Sequence, residues 1–269
     1  MNIAFLIIVA VISYIGSIIS KLLFYFVNVK DKETINTLFL VIPFSTFKAS
    51  DFLKNSILKK KISEKTLMLI EIVGILIFFF ATFSFLNFIT FNLLGFGEAL
   101  FFVVLNLFFL LSFLYLSIHD IINLRIPDNF VKGLLLSAVF LSLVIGLYRY
   151  ATFRSTGAYI LYGFEIGEFG NLAAALILGA LAWILVKLKS GMTKEDIFLF
   201  AFLGLVLGFL NSFVALIIIS ITGLAASLIY CVKIKRIKGV KVPLAPFVTF
   251  GYAISLGYGQ AITDFILNL

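Results

Sequence analysis

The sequence predicts an all-α, polytopic membrane protein with about eight transmembrane helices in a bundle. Three observations support this fold class. First, 62% of the 269 residues are hydrophobic and only 13% are charged, whereas soluble domains are about half apolar and a quarter charged. Second, apolar runs long enough to cross a hydrocarbon core of about 30 Å recur from end to end. Third, the basic residues concentrate in a few segments between those runs.

The predicted spans follow the apolar runs in chain order, at 3–27, 66–86, 98–119, 130–148, 170–187, 196–210, 212–232 and 244–267. The first run, MNIAFLIIVAVISYIG, lacks a positively charged leader, so we expect a retained helix. Segment 28–65 is the only sizeable loop, and it mixes lysines with apolar patches such as TLFLVIPF. We expect residues 1–269 to form a single transmembrane domain that includes this loop.

The sixth and seventh predicted spans come from one apolar run, IFLFAFLGLVLGFLNSFVALIIISITGLAASLIYCV. As a single helix the run would extend about 54 Å at 1.5 Å per residue, which is too long for one crossing. Gly208, Asn211 and Ser212 near its middle favour a turn. We therefore expect a tight hairpin of two spans. A single long helix is the alternative, and it would reverse the direction of the last span.

Lysines and arginines indicate the orientation. Eighteen of the 21 basic residues fall on one side of the predicted topology, in the segments 28–65, 120–132, 187–195 and 233–241. The opposite loops hold only Arg149 and Arg154, and the remaining basic residue, Lys21, lies within the first span toward the basic side. The positive-inside rule makes the basic side cytoplasmic, which predicts a protein of the cytoplasmic (inner) membrane with both termini outside. The net charge of +8 is thus mainly a topology signal, with some attraction to anionic lipid headgroups. This distribution argues against nucleic acid as a partner.

Three acidic residues lie close to predicted membrane boundaries. Asp120 ends the third span, Asp196 opens the sixth, and Glu71 lies about one turn inside the second. Two full crossings separate Asp120 from Asp196, so both are expected at the cytoplasmic boundary. Two carboxylates about 3 Å apart share one proton. The ionised member can then activate water as a general base, and the protonated member can polarise a carbonyl. The pair therefore predicts aspartyl proteolysis.

Other roles for these acids remain open at this stage. An acid at the end of a span is often only solvated, and Asp196 at a helix N-terminus interacts favourably with the helix dipole. Intramembrane acids also serve as proton or ion relays, which would make the protein a proton-coupled transporter. The single histidine, His119, precedes Asp120 but points about 100° away from it on a helix, so we expect a packing role. The single cysteine, Cys231, excludes an internal disulfide.

Several motifs resemble the type IV prepilin peptidase family, the membrane aspartyl proteases of the GxGD type. The first family motif, an aspartate with Ile-Pro-Asp or similar residues six to eight positions later, matches Asp120 and the Ile126-Pro127-Asp128 sequence. The second motif is GxGD followed by Leu-Gly. Here TKEDIFLFAFLG places Asp196 at the aspartate, and Leu203 and Gly204 lie at the matching offsets.

Three further segments are similar to the family in the same chain order. VPLAPFVTFGYA at 242–253, which contains Pro243 and Pro246, resembles a proline-rich stretch that opens the family's last span. KISEKTLMLIEIVGILIFF at 61–79 resembles the entry to the second span and places Glu71 at an acidic position. YIGSIIS at 14–20 resembles a small-residue stretch of the first span.

The sequence departs from the family pattern at three places. The glycines before the second aspartate are replaced, so that Glu195 directly precedes Asp196. Phe198 stands where the family typically has a lysine. The paired cysteines that bind zinc in many bacterial members are absent from 28–65. We therefore expect neither a metal nor a cofactor. Many bacterial members also methylate the new N-terminus, but no motif here isolates that activity.

The resemblance implies an endopeptidase that removes a short basic leader from prepilin-like precursors at the cytoplasmic membrane boundary. Asp120 and Asp196 would be the catalytic residues, and the precursor and the lipid bilayer would be the partners. Residues with supporting or structural roles would be Glu71, Arg125, Pro127, Glu195, Pro243 and Pro246. Two alternatives are a proton-coupled transporter and a catalytically inactive relative of the family.

Overall fold

A computed structural model describes residues 3–28, 68, 70–79, 96–151, 170–188, 192–234 and 242–267. The regular structure in these ranges is entirely α-helical. The seven helices are α1 (Ile3–Asn28), α2 (Ile70–Phe79), α3 (Phe96–Asn123), α4 (Asp128–Ala151), α5 (Gly170–Lys187), α6 (Lys194–Ile234) and α7 (Ala245–Leu267). This confirms the all-α class and the helical nature of every predicted span that falls within the described ranges. The predicted loop at 28–65 lies almost wholly outside the described residues.

Three described stretches are long and apolar enough to cross a membrane, namely Val104–Asn123, Gly170–Lys187 and Lys194–Ile229. Two shorter apolar helices are Ala10–Leu23 and Ile70–Phe79. The outward faces of α4, α5 and α6 carry exposed apolar residues, because Leu136, Leu176 and Val232 are 73%, 75% and 76% exposed. Exposed apolar faces of this kind suit contact with lipid. These features fit an all-α membrane protein, but the described helices do not support the predicted number of about eight spans.

The chain divides into two compact units, Met1–Leu124 and Arg125–Leu269. In the first unit, α1 packs on α2 and α3. A Cβ atom at Gly16 would lie 2.6 Å from the Phe78 ring, and one at Gly74 would overlap the Ser20 side chain. The contacts run in opposite directions along α1 and α2, so these helices are antiparallel. Small residues at such contacts let helix backbones approach closely, which is the usual basis of helix packing in membranes.

In the second unit, the two ends of α6 pack on different helices. Near its start, a Cβ at Gly204 would lie 2.7 Å from the carbonyl oxygen of Ala174 on α5. Further along, a Cβ at Gly251 of α7 would lie 2.8 Å from Ile219. Both neighbours run antiparallel to the part of α6 that they contact. Helix α6 is therefore the central element of this unit.

The predicted hairpin at 196–210 and 212–232 is wrong in one respect. The structure has no loop there, and α6 continues from Lys194 to Ile234 with one non-helical residue, Gly208 (φ 71°, ψ −176°). Only glycine adopts this conformation without steric cost. Asn211 and Ser212 are helical, and the Ser212 hydroxyl donates to the Gly208 carbonyl. Two helical parts thus meet at Gly208.

Candidate active site

Asp120 lies in the last turn of α3 and is 5% exposed. Its backbone carbonyl accepts a hydrogen bond from the Leu124 amide at 2.8 Å. Leu124 has a positive φ of 52°, the left-handed conformation with which many helices end. A leucine pays a steric cost there that glycine would not. The predicted site residue therefore lies one turn before a strained helix terminus.

The Ile126-Pro127-Asp128 motif forms the start of α4. Ile126 is non-helical, as the following proline requires. The Pro127 carbonyl accepts hydrogen bonds from the amides of Phe130 and Val131, both at 3.1 Å. Asp128 is the acidic residue of the first turn of α4, where a negative charge is favourable. The motif therefore has a structural function here, because it forms the start of α4.

Asp196 lies in the first turn of α6 and is 5% exposed. The backbone amide of Thr193 donates to its Oδ2 at 2.6 Å, and the Thr193 hydroxyl donates to the same atom at 3.1 Å. The Asp196 amide in turn donates to the Thr193 carbonyl at 3.2 Å. This reciprocal arrangement resembles a capping box, with Thr193 as the N-cap residue. Within the described residues, these side-chain bonds reach Oδ2 alone, and none of them reaches Oδ1.

A lysine joins the starts of α4 and α6. The Lys132 ammonium lies 5.1 Å from the centroid of the Phe198 ring and 2.6 Å from Asp128 Oδ2. Phe198 follows Asp196 by two residues, so a positive charge lies beside the first turn of α6 even though position 198 is not basic. A cation over an aromatic face contributes about 0.5–1 kcal/mol at exposed sites. The second part of the first motif and the Asp196 segment are therefore neighbours in the second unit.

The Leu203-Gly204 pair fixes α6 against α5. Leu203 is fully buried, and Gly204 lets the two backbones approach as described above. One helical position further on, the Asn171 amide nitrogen donates to the Leu205 carbonyl at 3.0 Å. These contacts hold the part of α6 that carries Asp196, so the second motif acts as a packing motif as well as the location of an acid.

Glu71 belongs to a buried charged cluster in the first unit. Its Oε1 accepts a hydrogen bond from the Ser17 hydroxyl at 2.6 Å and pairs with the Lys21 ammonium at 3.0 Å. Glu71, Ser17 and Lys21 are 1%, 1% and 5% exposed. From the sequence, Lys21 was expected only to lie toward the basic side of the first span. The signal that could have indicated the cluster is that Ser17 and Lys21 lie four residues apart and so share one face of α1.

The remaining predicted residues lie at helix ends. Arg125 is exposed, Pro127 and Glu195 are half-buried, and Pro243 and Pro246 flank the start of α7. The Leu244 carbonyl accepts from the amides of Phe247 and Val248, so proline is tolerated at this first turn. His119 is half-buried, with its ring centroid 6.3 Å from that of Tyr115. A packing position of this kind fits the expected role of His119.

The described residues contain no group of three or more histidine, cysteine or acidic side chains that could hold a metal ion. They place Asp120 in the first compact unit and Asp196 in the second. The expected pairing of the two carboxylates therefore remains a prediction. Each of them is buried at a helix end, and each belongs to a different unit.

Comparisons with known proteins identify no relative of this chain. No family model matches the chain, no curated protein matches it, and no solved structure matches it.

Proposed function

We propose that the protein is a membrane aspartyl endopeptidase of the prepilin peptidase type. In this proposal the substrate is a precursor with a short basic leader followed by an apolar helix. Cleavage occurs where that helix meets the cytoplasm. The single observation that carries the proposal is the setting of Asp196. It is a buried carboxylate at the start of an apolar helix, with one oxygen held by Thr193 and the other unbonded among the described residues.

The proposed chemistry uses only side chains of this protein. One carboxylate of the pair Asp120 and Asp196 removes a proton from water, and the water attacks the scissile carbonyl. The other donates its proton to the carbonyl oxygen. As the C–N bond breaks, the first carboxyl passes the proton that it took from water to the leaving amine, and the second regains a proton from the gem-diol hydroxyl. The Thr193 bonds to Asp196 Oδ2 would hold that carboxylate in one orientation while Oδ1 faces the reactants. No covalent intermediate and no metal takes part.

The topology belongs to the same proposal. A prepilin-peptidase-like bundle with its basic loops in the cytoplasm would place the starts of α4 and α6 at the cytoplasmic boundary. Hydrolysis needs water, and the apolar part of the precursor needs lipid, so this boundary suits the reaction. Lys132 would then lie at the level of the reacting groups, where it would attract acidic rather than basic substrate residues.

A cleavage assay tests the proposal. The full-length protein, purified in detergent or reconstituted in lipid, is incubated with prepilin-like precursors encoded in the same genome. The expected result is release of the basic leader by the wild type and not by Asp120→Asn or Asp196→Asn. The variant Asp264→Asn is the matched control, because it makes the same substitution at an aspartate of α7 that has no assigned role in the reaction. Failure of the wild type to cleave any such precursor would contradict the proposal.

One observation favours the transporter alternative. The Lys21–Glu71 pair is buried inside a unit whose helices are largely apolar, and intramembrane ion pairs often mark ion or proton pathways. Proton-driven uptake by reconstituted vesicles would distinguish this candidate. A transporter would lose uptake on Glu71→Gln and would release no leader peptide from the precursors. A peptidase would release the leader peptide and would drive no uptake.

A further inference from the structure

The break in α6 lies beside buried polar atoms that the proposed peptidase chemistry does not use. Beyond Gly208, α6 packs antiparallel on α7 along a row of α7 residues spaced by four. Asn211 contacts Gly259, Ala215 and Ile219 contact Gly251, and Gly223 contacts Phe247. Ser255 lies in the same row, midway between Gly251 and Gly259. It therefore faces α6 at a level between Asn211 and Ala215.

Asn211 turns its amide oxygen into this interface. The residue is 6% exposed, and a Cβ atom at Gly259 would overlap Oδ1. Within the described part of the chain, no hydrogen-bond donor reaches that oxygen. An amide oxygen buried without a donor costs about 1–3 kcal/mol, which is why such atoms normally have a partner. Glycine at position 259 leaves room for the oxygen but does not satisfy it.

Ser255 has the same property. It is fully buried, and its hydroxyl makes no hydrogen bond to any described residue. Other buried helical hydroxyls in this protein bond the carbonyl four residues before them, at 2.7 Å for Ser20, 2.8 Å for Ser117 and 2.9 Å for Thr249. The Ser255 hydroxyl does not take up this common arrangement, so both of its lone pairs remain for a ligand.

The helix break leaves backbone carbonyls in the same region. The first part of α6 ends at Gly208, and the last carbonyls of a helix have no donor within that helix. Two carbonyls near the break already have side-chain donors, since Asn171 donates to Leu205 and Ser212 donates to Gly208. Side chains of the protein therefore supply hydrogen-bond donors to these carbonyls. Among the described residues of this interface, Asn211 Oδ1 and Ser255 Oγ lack a hydrogen-bond partner.

We propose that Asn211 and Ser255, beside the Gly208 break, bind a monovalent cation. Neutral amide, hydroxyl and backbone oxygens are the ligands that hard cations take. In membrane proteins, interrupted helices supply such sites through their carbonyl ends. No described group of three or more acidic, histidine or cysteine side chains offers a metal site, and neither proposed ligand carries a charge. A single positive charge matches these ligands better than two. The site is separate from Asp196 and does not depend on peptidase activity.

The test compares the thermal stability of the full-length protein in sodium, potassium and choline chloride at equal ionic strength. Binding to the folded state raises the melting temperature. When the cation concentration is about ten times the Kd, the melting temperature should be roughly 3–6 °C higher than in choline chloride. Asn211→Ala and Ser255→Ala should lose the rise. Ser117→Ala, which removes a buried hydroxyl that already bonds its own helix, should keep it.

A further variant covers the case in which the alanine substitutions prevent folding. Asn211→Asp keeps the size of the side chain and adds a negative charge, so it should enlarge the difference between sodium or potassium and choline. Equal melting temperatures of the wild type in all three salts would overturn the proposal and leave an ordered water as the partner of these oxygens. Retention of the full rise in both alanine variants would also overturn it.

Discussion

The buried acids Glu71 and Asp196 are held in opposite ways. Glu71 lies within the helical interface of the first unit, and its Oε1 is matched by the ammonium of Lys21 and the hydroxyl of Ser17. Asp196 lies at the first turn of α6, and Thr193 of its own helix cap donates the two hydrogen bonds to its Oδ2. The first acid is neutralised by a distant part of the chain. The second is oriented by the cap of its own helix. Burial alone therefore does not distinguish the two acids.

The largest effect should come from removing one charge of the Glu71 cluster. Lys21→Met leaves Glu71 buried without its cation, and Glu71→Leu leaves Lys21 without its anion. Losing one member of a buried pair costs about 3–5 kcal/mol, whereas replacing both by apolar residues is often neutral. Each single variant should therefore unfold at much lower denaturant, and Lys21→Met with Glu71→Leu should recover most of the loss. A double variant no more stable than the worse single variant would contradict the assigned pairing.

The next effect concerns the helix contact that holds the Asp196 segment. Gly204→Ala places a methyl group 2.7 Å from the Ala174 carbonyl oxygen, and overpacking of this kind costs about 1–3 kcal/mol. Gly133 of α4 is the matched control, because no atom of the described residues lies within 4 Å of a Cβ there. Gly133→Ala should instead raise stability by up to about 1 kcal/mol through helix propensity. Equal effects of the two variants on the free energy of unfolding would refute the close α5–α6 contact.

The cap of Asp196 should give a smaller effect. Thr193→Val removes the hydroxyl that donates to Oδ2 and keeps the backbone amide that donates to the same atom. Loss of an N-cap side chain costs about 0.5–2 kcal/mol. Stability should fall by that amount, and cleavage should fall because the carboxylate is less firmly oriented. Thr193→Ser should restore both properties, and failure of serine to do so would argue against the capping interaction.

The smallest effect should come from the lysine between α4 and α6. Lys132→Met removes the ammonium from the face of Phe198 and should lower stability by no more than about 1 kcal/mol. Lys187 provides a control, since its ammonium lies 5.5 Å from the Trp183 ring within the same helix. Lys187→Met should leave the distance between the starts of α4 and α6 unchanged. Spin labels on the two helix starts can measure this distance, which should widen in Lys132→Met alone.

The helices could be predicted from the sequence because apolar runs dominate the chain and proline or glycine lies near their ends. Residues 170–187 were predicted and observed with identical bounds. The break in α6 was also predicted near Gly208, but its form was not. Glycine, asparagine and serine favour a turn and a kink alike. The outcome depends on tertiary packing, and side-chain donors from Asn171 and Ser212 accompany the break here.

The candidate site was only partly accessible to the same reasoning. Asp196 could be located from a local motif. Its cap is also a local pattern, because Thr193 is followed three residues later by an acid. The Lys21–Glu71 pair could not be derived, because the residues lie 50 positions apart and their contact depends on the register between two helices. The positive charge near Phe198 was missed for a similar reason. It comes from Lys132 on another helix, and nothing in the sequence around Phe198 indicates it.

Cleavage by variants of the two contrasted acids tests the account most directly. Asp196→Asn and Glu71→Gln remove one charge each and keep the shape of the side chain, and rates are normalised to the amount of folded protein. If Asp196 acts in acid–base chemistry, Asp196→Asn should lower the rate of leader release about 10²- to 10⁴-fold, while Glu71→Gln lowers it less than about tenfold. Equal losses in the two variants, or full activity of Asp196→Asn, would contradict the assignment of Asp196 as a catalytic residue.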